Sequence, residues 1–282
     1  MKLIRKGEPL EESPGLLLPD GREVDASSFG EDYDEVFFET DGLERLGAWA
    51  KENADDLPLF AEGERYGSPI ARPSKIVCIG LNYADHAAEG GMAIPAEPVI
   101  FMKDPTTMVG PFDDVLIPRQ SVKTDWEVEL GVVIGTRTAY LDSRDQARAH
   151  IAGYVVANDV SERTFQLEVS GGQWSKGKCS FGFSPTGPWL VTADEVDPDA
   201  LSLRSFVNGE PRQDSNTADM IFPVDEIVYQ LSQYMTLEPG DLILTGTPEG
   251  VALSGRFPYL APGDVVEIEI DGLGRQRQVF TA

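Results

Sequence analysis

The sequence predicts a mixed α/β, β-rich fold with a small N-terminal α+β unit ahead of a larger domain. Three observations carry this reading. Past residue 70, short apolar runs are separated by the turn pairs Asn208-Gly209, Pro239-Gly240, Pro262-Gly263 and Asp271-Gly272, the pattern of strands joined by tight turns. Few segments show the apolar spacing of a helix, chiefly Leu43–Ala50 and Val224–Met235. Pro69 and Pro73 punctuate a linker that divides residues 1–70 from residues 71–282.

In chain order, Leu16–Leu18 before Pro19-Asp20-Gly21 reads as strand then turn, and Leu43–Ala50 as a short helix. No polar types converge here, so the unit is assigned a packing or dimer-supporting role. Lys75–Ile79 is a buried strand leading into Gly80–Glu89, where Asn82 can cap a helix. On that helix His86 and Glu89 stand three apart on one face, and a carboxylate beside an imidazole fixes its tautomer and raises its basicity. Val99–Met102 is a further strand, and Lys103 after it either lines a site or, as the preferred reading, is a solvated strand-end lysine.

The stretch Lys123–Ile134 is the most informative. Read as a strand, it projects Asp125, Glu127 and Glu129 to one face and Trp126, Val128 and Leu130 to the other. Three like charges on a core-bound strand call for a counter-charge, and oxygen-only ligands favour Mg²⁺, Mn²⁺ or Ca²⁺ over zinc or copper. The alternative is a solvated acidic face.

A helix is expected over Ser143–His150, with His150 at the surface, and then a strand over Ile151–Ala157 ending at Asn158-Asp159. Asp159 can join the acidic strand or simply cap a helix over 160–166. Within Ser161–Gln166, Arg163 and Gln166 share a helical face that is either solvated or turned to a ligand. Lys178 follows a glycine in a Gly-rich loop and can approach an anion or remain exposed. Strands are expected at Pro188–Thr192, Leu203–Val207, Leu242–Leu244 and Val265–Ile270, and Thr245-Gly246-Thr247-Pro248 is a turn able to aim backbone NH groups at a carboxylate.

Composition narrows the classes. With 23 Lys and Arg against 48 Asp and Glu, the net charge is 23 − 48 = −25, which argues against nucleic acid or an anionic membrane surface as a partner, since both need a basic footprint. Cys78 and Cys179 lack CxxC spacing and are read as buried or neutral thiols rather than a disulfide or zinc site. The opening residues lack an apolar signal core and no run is long enough to span a bilayer, so a cytoplasmic protein is expected.

Several motifs in sequence resemble the fumarylacetoacetate hydrolase family. Gly80-Leu-Asn-Tyr-Ala-Asp-His-Ala-Ala-Glu89 is similar to its GxNYxxHxxE segment, and Thr124–Ile134 to its E-x-E-L strand. Gly153–Arg163, the Gly177-Lys178 loop and Thr245–Gly250 match in order, so the resemblance covers about residues 70–282. It implies a β-roll catalytic domain, a homodimer, and Glu127, Glu129 and Asp159 as ligands of Mg²⁺ or Mn²⁺ (or Ca²⁺), with Asp125 a neighbour. It further implies His86 and Glu89 as a water-activating dyad on a lid, Lys178 as the active-site lysine, and Arg163, Gln166 and Thr247 as contacts to substrate oxygens. One departure is Phe181, where many bacterial members carry an Asp; it bears on substrate preference.

The expected activity is hydrolysis of a C–C bond in a 2-oxo or β-diketo acid, of acylpyruvate or 2,4-diketo-3-deoxy sugar acid type. Oxaloacetate decarboxylation, isomerisation of 2-hydroxyhepta-2,4-diene-1,7-dioate and an inactive metal-binding scaffold are the alternatives.

Overall fold

The computed structural model describes residues 1–53 and 55–282. Its centre is a nine-stranded sheet in the order Glu23–Asp25, Ser13–Leu17, Lys2–Lys6, Leu190–Thr192, Ile151–Asn158, Val128–Ile134, Leu242–Leu244, Ile76–Gly80, Val99–Lys103. Only the pairing of Leu242–Leu244 with Ile76–Gly80 is parallel. A second, five-stranded sheet runs Glu210–Asn216, Ser202–Val207, Val265–Ile270, Gly274–Thr281, Val115–Leu116. The fold is thus mixed α/β and strand-rich, as the turn pairs indicated.

Every residue of Val128–Ile134 and of Ile151–Asn158 is buried, because both faces of the central sheet are covered. Leu130, Val132 and Ile134 enter a core shared with the second sheet and with helix Val224–Tyr234. Val133, Val155 and Ala157 enter another, shared with Leu3, Leu16, Phe37 and Leu46 of the N-terminal segment. Alternate side chains therefore feed alternate cores, and the strands read as continuous apolar runs.

Some elements differ from expectation. The acidic stretch is not one strand: Thr124–Asp125 pairs with Ser161–Glu162, and Val128–Ile134 begins only after a break. At that break the Asn158 side chain accepts from the Glu127 N–H (3.1 Å) and that of Gln213 from the Val128 N–H (3.0 Å). Ser161–Gln166 is no short helix but a strand followed by a wide helical turn at Thr164–Glu168, and Arg144–His150 winds as 3₁₀ rather than α. Strands Lys2–Lys6, Glu210–Asn216 and Gly274–Thr281 gave no readable signal. The last carries its polar residues inward: Gln276 and Gln278 are buried, their amides donating to the carbonyls of Val156, Gly187 and Pro111. Satisfied amides can occupy a core that the hydrophobic pattern reserves for apolar groups. No helix among the described residues is long and apolar enough to cross a membrane.

Candidate active site

Two adjacent antiparallel strands build the acidic centre. Their register sets Glu129 against Ala157 and Val128 against Asn158, and the Asp159 N–H donates to the Glu127 carbonyl at 3.0 Å. Asp159 thereby comes to the face that Glu127 and Glu129 share. One carboxylate oxygen from each of the three lies within 4.8 Å of the others, and each residue is at most 4% exposed.

Cations are interleaved with these carboxylates. Lys178 Nζ donates to Glu127 Oε2 and Asp159 Oδ2, both at 2.7 Å. Arg163 donates through Nη2 to Glu127 Oε1 (2.7 Å), through Nε to Asp125 Oδ2 (2.8 Å) and through Nη1 to Gln166 Oε1 (2.9 Å). Lys103, expected in solvent, is instead buried: its Nζ holds Asp159 Oδ1 and donates to the carbonyls of Phe183 (2.7 Å) and Val160 (3.2 Å). A strand-end lysine carries no mark in sequence of the carboxylate it will meet. Arg163 and Gln166, for which a solvated face was an open alternative, are likewise buried.

Asp125 stands apart from the triad. Besides Arg163, it accepts from the backbone N–H of Ala252 (2.9 Å) and Leu253 (3.0 Å), so it ties the acidic stretch to the turn Ala252–Ser254.

The four carboxylates Asp125, Glu127, Glu129 and Asp159 face three cations, Lys103, Arg163 and Lys178, which leaves one negative charge in excess. Burial pushes the Glu127 carboxyl up, but Lys178 and Arg163 more than reverse this and hold it well below the usual range. Lys178 resists the neutralising effect of burial because Asp159 and Glu127 face it, and is pushed up to about 12; it is an ammonium at neutral pH, not a base. Glu129 has no such partner. It accepts one hydrogen bond, from the Gly246 N–H at 2.8 Å, while burial and then the charges of Asp159 and Glu127 push its carboxyl well up. The triad therefore lacks positive charge at Glu129, and its all-oxygen donor set suits a hard divalent cation. It can hold a metal ion.

His86 and Glu89 lie on helix Ala84–Glu89, with His86 Nδ1 and Glu89 Oε1 2.9 Å apart. Burial raises the Glu89 carboxyl, but His86 and the Gly250 N–H outweigh it and lower it below its ordinary value. Glu89 is then the acceptor, which places the imidazole proton on Nδ1 and leaves Nε2 bare. His86, Glu127, Glu129, Arg163, Gln166, Lys178 and Thr247 line one cavity. Thr247 Oγ1 donates to the Val128 carbonyl (2.9 Å) and accepts from Gln213 Nε2 (2.7 Å), so what it offers the cavity is a lone pair. Phe181 is 72% exposed and lies outside the cavity lining. Cys78 is buried and Cys179 exposed, both unpaired thiols.

The arrangement has relatives. Residues 75–281 match the family model described as fumarylacetoacetate (FAA) hydrolase C-terminal. A 2,4-didehydro-3-deoxy-L-rhamnonate hydrolase from a Sphingomonas species is 46% identical over 282 residues, covering 99% of this chain and 95% of that protein. Among solved structures, fumarylacetoacetate hydrolase from psychrophilic Exiguobacterium antarcticum superposes with a TM-score of 0.85 at 32% identity, covering 100% of this chain and 99% of the other. Maleylpyruvate hydrolase from a Sphingobium species, in complex with manganese(II) and pyruvate, gives a TM-score of 0.82 at 27% identity with 100% and 99% coverage. The chain belongs to the fumarylacetoacetate hydrolase family.

Proposed function

We propose that this protein is a divalent-metal-dependent hydrolase that cleaves a C–C bond in a 2-oxo, β-diketo acid of the acylpyruvate or 2,4-diketo-3-deoxy sugar acid type. The observation that carries the reading is the buried triad Glu127, Glu129 and Asp159, with Lys178 inside it and the His86–Glu89 pair opening on the same cavity. The name of the Sphingomonas relative and the manganese and pyruvate in the Sphingobium neighbour support it.

Glu127, Glu129 and Asp159 would hold Mg²⁺ or Mn²⁺, which when bound supplies Lewis acidity to the 2-oxo acid end of the substrate. Arg163 and Gln166 bind oxygens at that end; Gln166 spends its carbonyl on Arg163, which leaves its amide hydrogens for the ligand. Thr247 accepts from an enol or hydroxyl. His86 Nε2 takes a proton from water while Glu89 steadies the imidazolium, and the hydroxide attacks the carbonyl remote from the carboxylate. The C–C bond then breaks toward the pyruvate unit, whose developing negative charge is stabilised by the Lys178 ammonium. Return of a proton to that carbon gives pyruvate and the second carboxylic acid, so one water is consumed for each bond cleaved.

The test is a panel of acylpyruvates, a 2,4-diketo-3-deoxy sugar acid and oxaloacetate, with Mg²⁺ or Mn²⁺ and again with EDTA. Pyruvate release from a diketo acid that stops with EDTA is expected. Release of CO₂ from oxaloacetate alone, or turnover indifferent to EDTA, would overturn the proposal.

A further inference from the structure

The cavity lining is of two kinds: Glu127, Glu129, Arg163, Lys178 and Gln166 are charged or polar, while Ile79, Leu81, Met92, Phe101 and Trp174 are apolar. Trp174 opens the turn Trp174–Gly177 that leads into Lys178, so one short segment supplies both the cation and part of the apolar lining. Its indole lies over Gly80, at the end of strand Ile76–Gly80, so closely that a Cβ there would sit 2.3 Å from the ring. A glycine is therefore required beneath it. The indole meets the Phe101 ring edge-on, with centroids 5.6 Å apart, and Lys178 Nζ stands 5.1 Å from the centroid of Phe101. Trp174 thus lies one aromatic ring beyond the charged end of the cavity.

An apolar limb gains from leaving water for such a lining, whereas a hydroxyl placed against it gives up hydrogen bonds to water and finds none in return. A rigid two-ring barrier also limits length, because neither ring can yield without displacing the other. We propose that Trp174, seated on Gly80 and braced by Phe101, is the end wall of the substrate site and selects short, apolar, alkyl-terminated limbs over long or polyhydroxylated ones. This rests on the reading of the cavity as a 2-oxo acid site.

The test needs no turnover. Binding of 2-oxobutanoate, 2-oxohexanoate, 2-oxooctanoate and 2-keto-3-deoxygluconate to the Mn²⁺-loaded protein is measured by calorimetry. In the wild type, 2-oxooctanoate and the sugar acid each bind roughly tenfold or more weaker than the best short acid. Trp174→Ala removes the length penalty while leaving 2-oxobutanoate within about threefold, and Trp174→Leu serves if the alanine variant does not fold. Gly80→Ala pushes the indole into the cavity and shifts the preference toward shorter acids. Opposite shifts from the two variants separate a wall from general damage, which would weaken every ligand together. A length profile that is flat in the wild type, or unchanged in the Trp174 variant, overturns the wall. Tighter binding of the sugar acid than of 2-oxohexanoate overturns the apolar selection. If the wild type binds no 2-oxo acid at all, both the wall and the functional reading beneath it fall; if it binds them without regard to length, only the wall does.

Discussion

Arg256 reaches from the turn after Gly250 to helix Ala84–Glu89 and donates through Nη2 to Glu89 Oε2 at 2.7 Å, while the other oxygen of Glu89 faces His86. One carboxylate therefore serves two masters: it orients the imidazole and fastens the helix that carries it to the body of the protein. The guanidinium is half exposed and shared with Glu249 at 3.0 Å, so its pull is modest and open to salt. Arg256→Gln is expected to raise KM about threefold to tenfold with little change in kcat, because Arg256 holds the helix in place and takes no part in the proton transfer. The wild-type KM should also rise with ionic strength and the variant's should not. Equal salt dependence in both would show that Arg256 fastens nothing.

His86→Asn removes the bare Nε2 but keeps a polar side chain toward Glu89. Turnover of the best diketo acid should fall about 10²–10⁴-fold, with Mn²⁺ affinity within about twofold. Full activity in this variant would remove His86 from the proton-transfer role.

Glu129 is the carboxylate of the triad that no cationic side chain hydrogen-bonds. Glu129→Gln keeps the shape and takes away the charge, so two effects of opposite sign are expected. Mn²⁺ affinity drops by about two orders of magnitude or more, since a neutral amide replaces an anionic ligand. The metal-free protein melts at the same temperature or higher, because the amide removes a carboxyl that burial and the charges of Asp159 and Glu127 already disfavour as an anion. The wild type in turn gains stability on metal binding, about 2.7 kcal/mol at a hundredfold excess over Kd. Calorimetric titration and thermal unfolding with and without Mn²⁺ check these together; unchanged metal affinity would take Glu129 out of the ligand set.

Lys103 is buried against Asp159 and two backbone carbonyls. Lys103→Met fills similar space but strands one oxygen of Asp159 and both carbonyls without a donor. A loss of about 3–5 kcal/mol in denaturant unfolding is expected, the cost of breaking a buried ion pair from one side. A loss below about 1 kcal/mol would mean that water or Lys178 takes over the role.

The sequence by itself determined the strand pattern of the catalytic half and most of the polar residues that line the cavity. Helical spacing is a local property: once Ala84–Glu89 is helical, His86 and Glu89 must meet, and alternation along Val128–Ile134 sets the face of Glu129, while Glu127 stands at the break just before that strand. The family motifs added Asp159, Arg163, Gln166, Lys178 and Thr247, which no local rule brings to one place. Only the tertiary structure decided the rest. It decided that Lys103 is buried rather than solvated, because Asp159 arrives from a strand 56 residues away. It decided that the acidic stretch breaks at Glu127, because Asn158 and Gln213 claim the backbone there. It decided, too, that Trp174 lines the cavity, because Gly80 leaves room for an indole from a distant turn. Each of these is a long-range pairing of polar or aromatic groups, and periodicity along a chain carries no information about which distant partner a side chain will find.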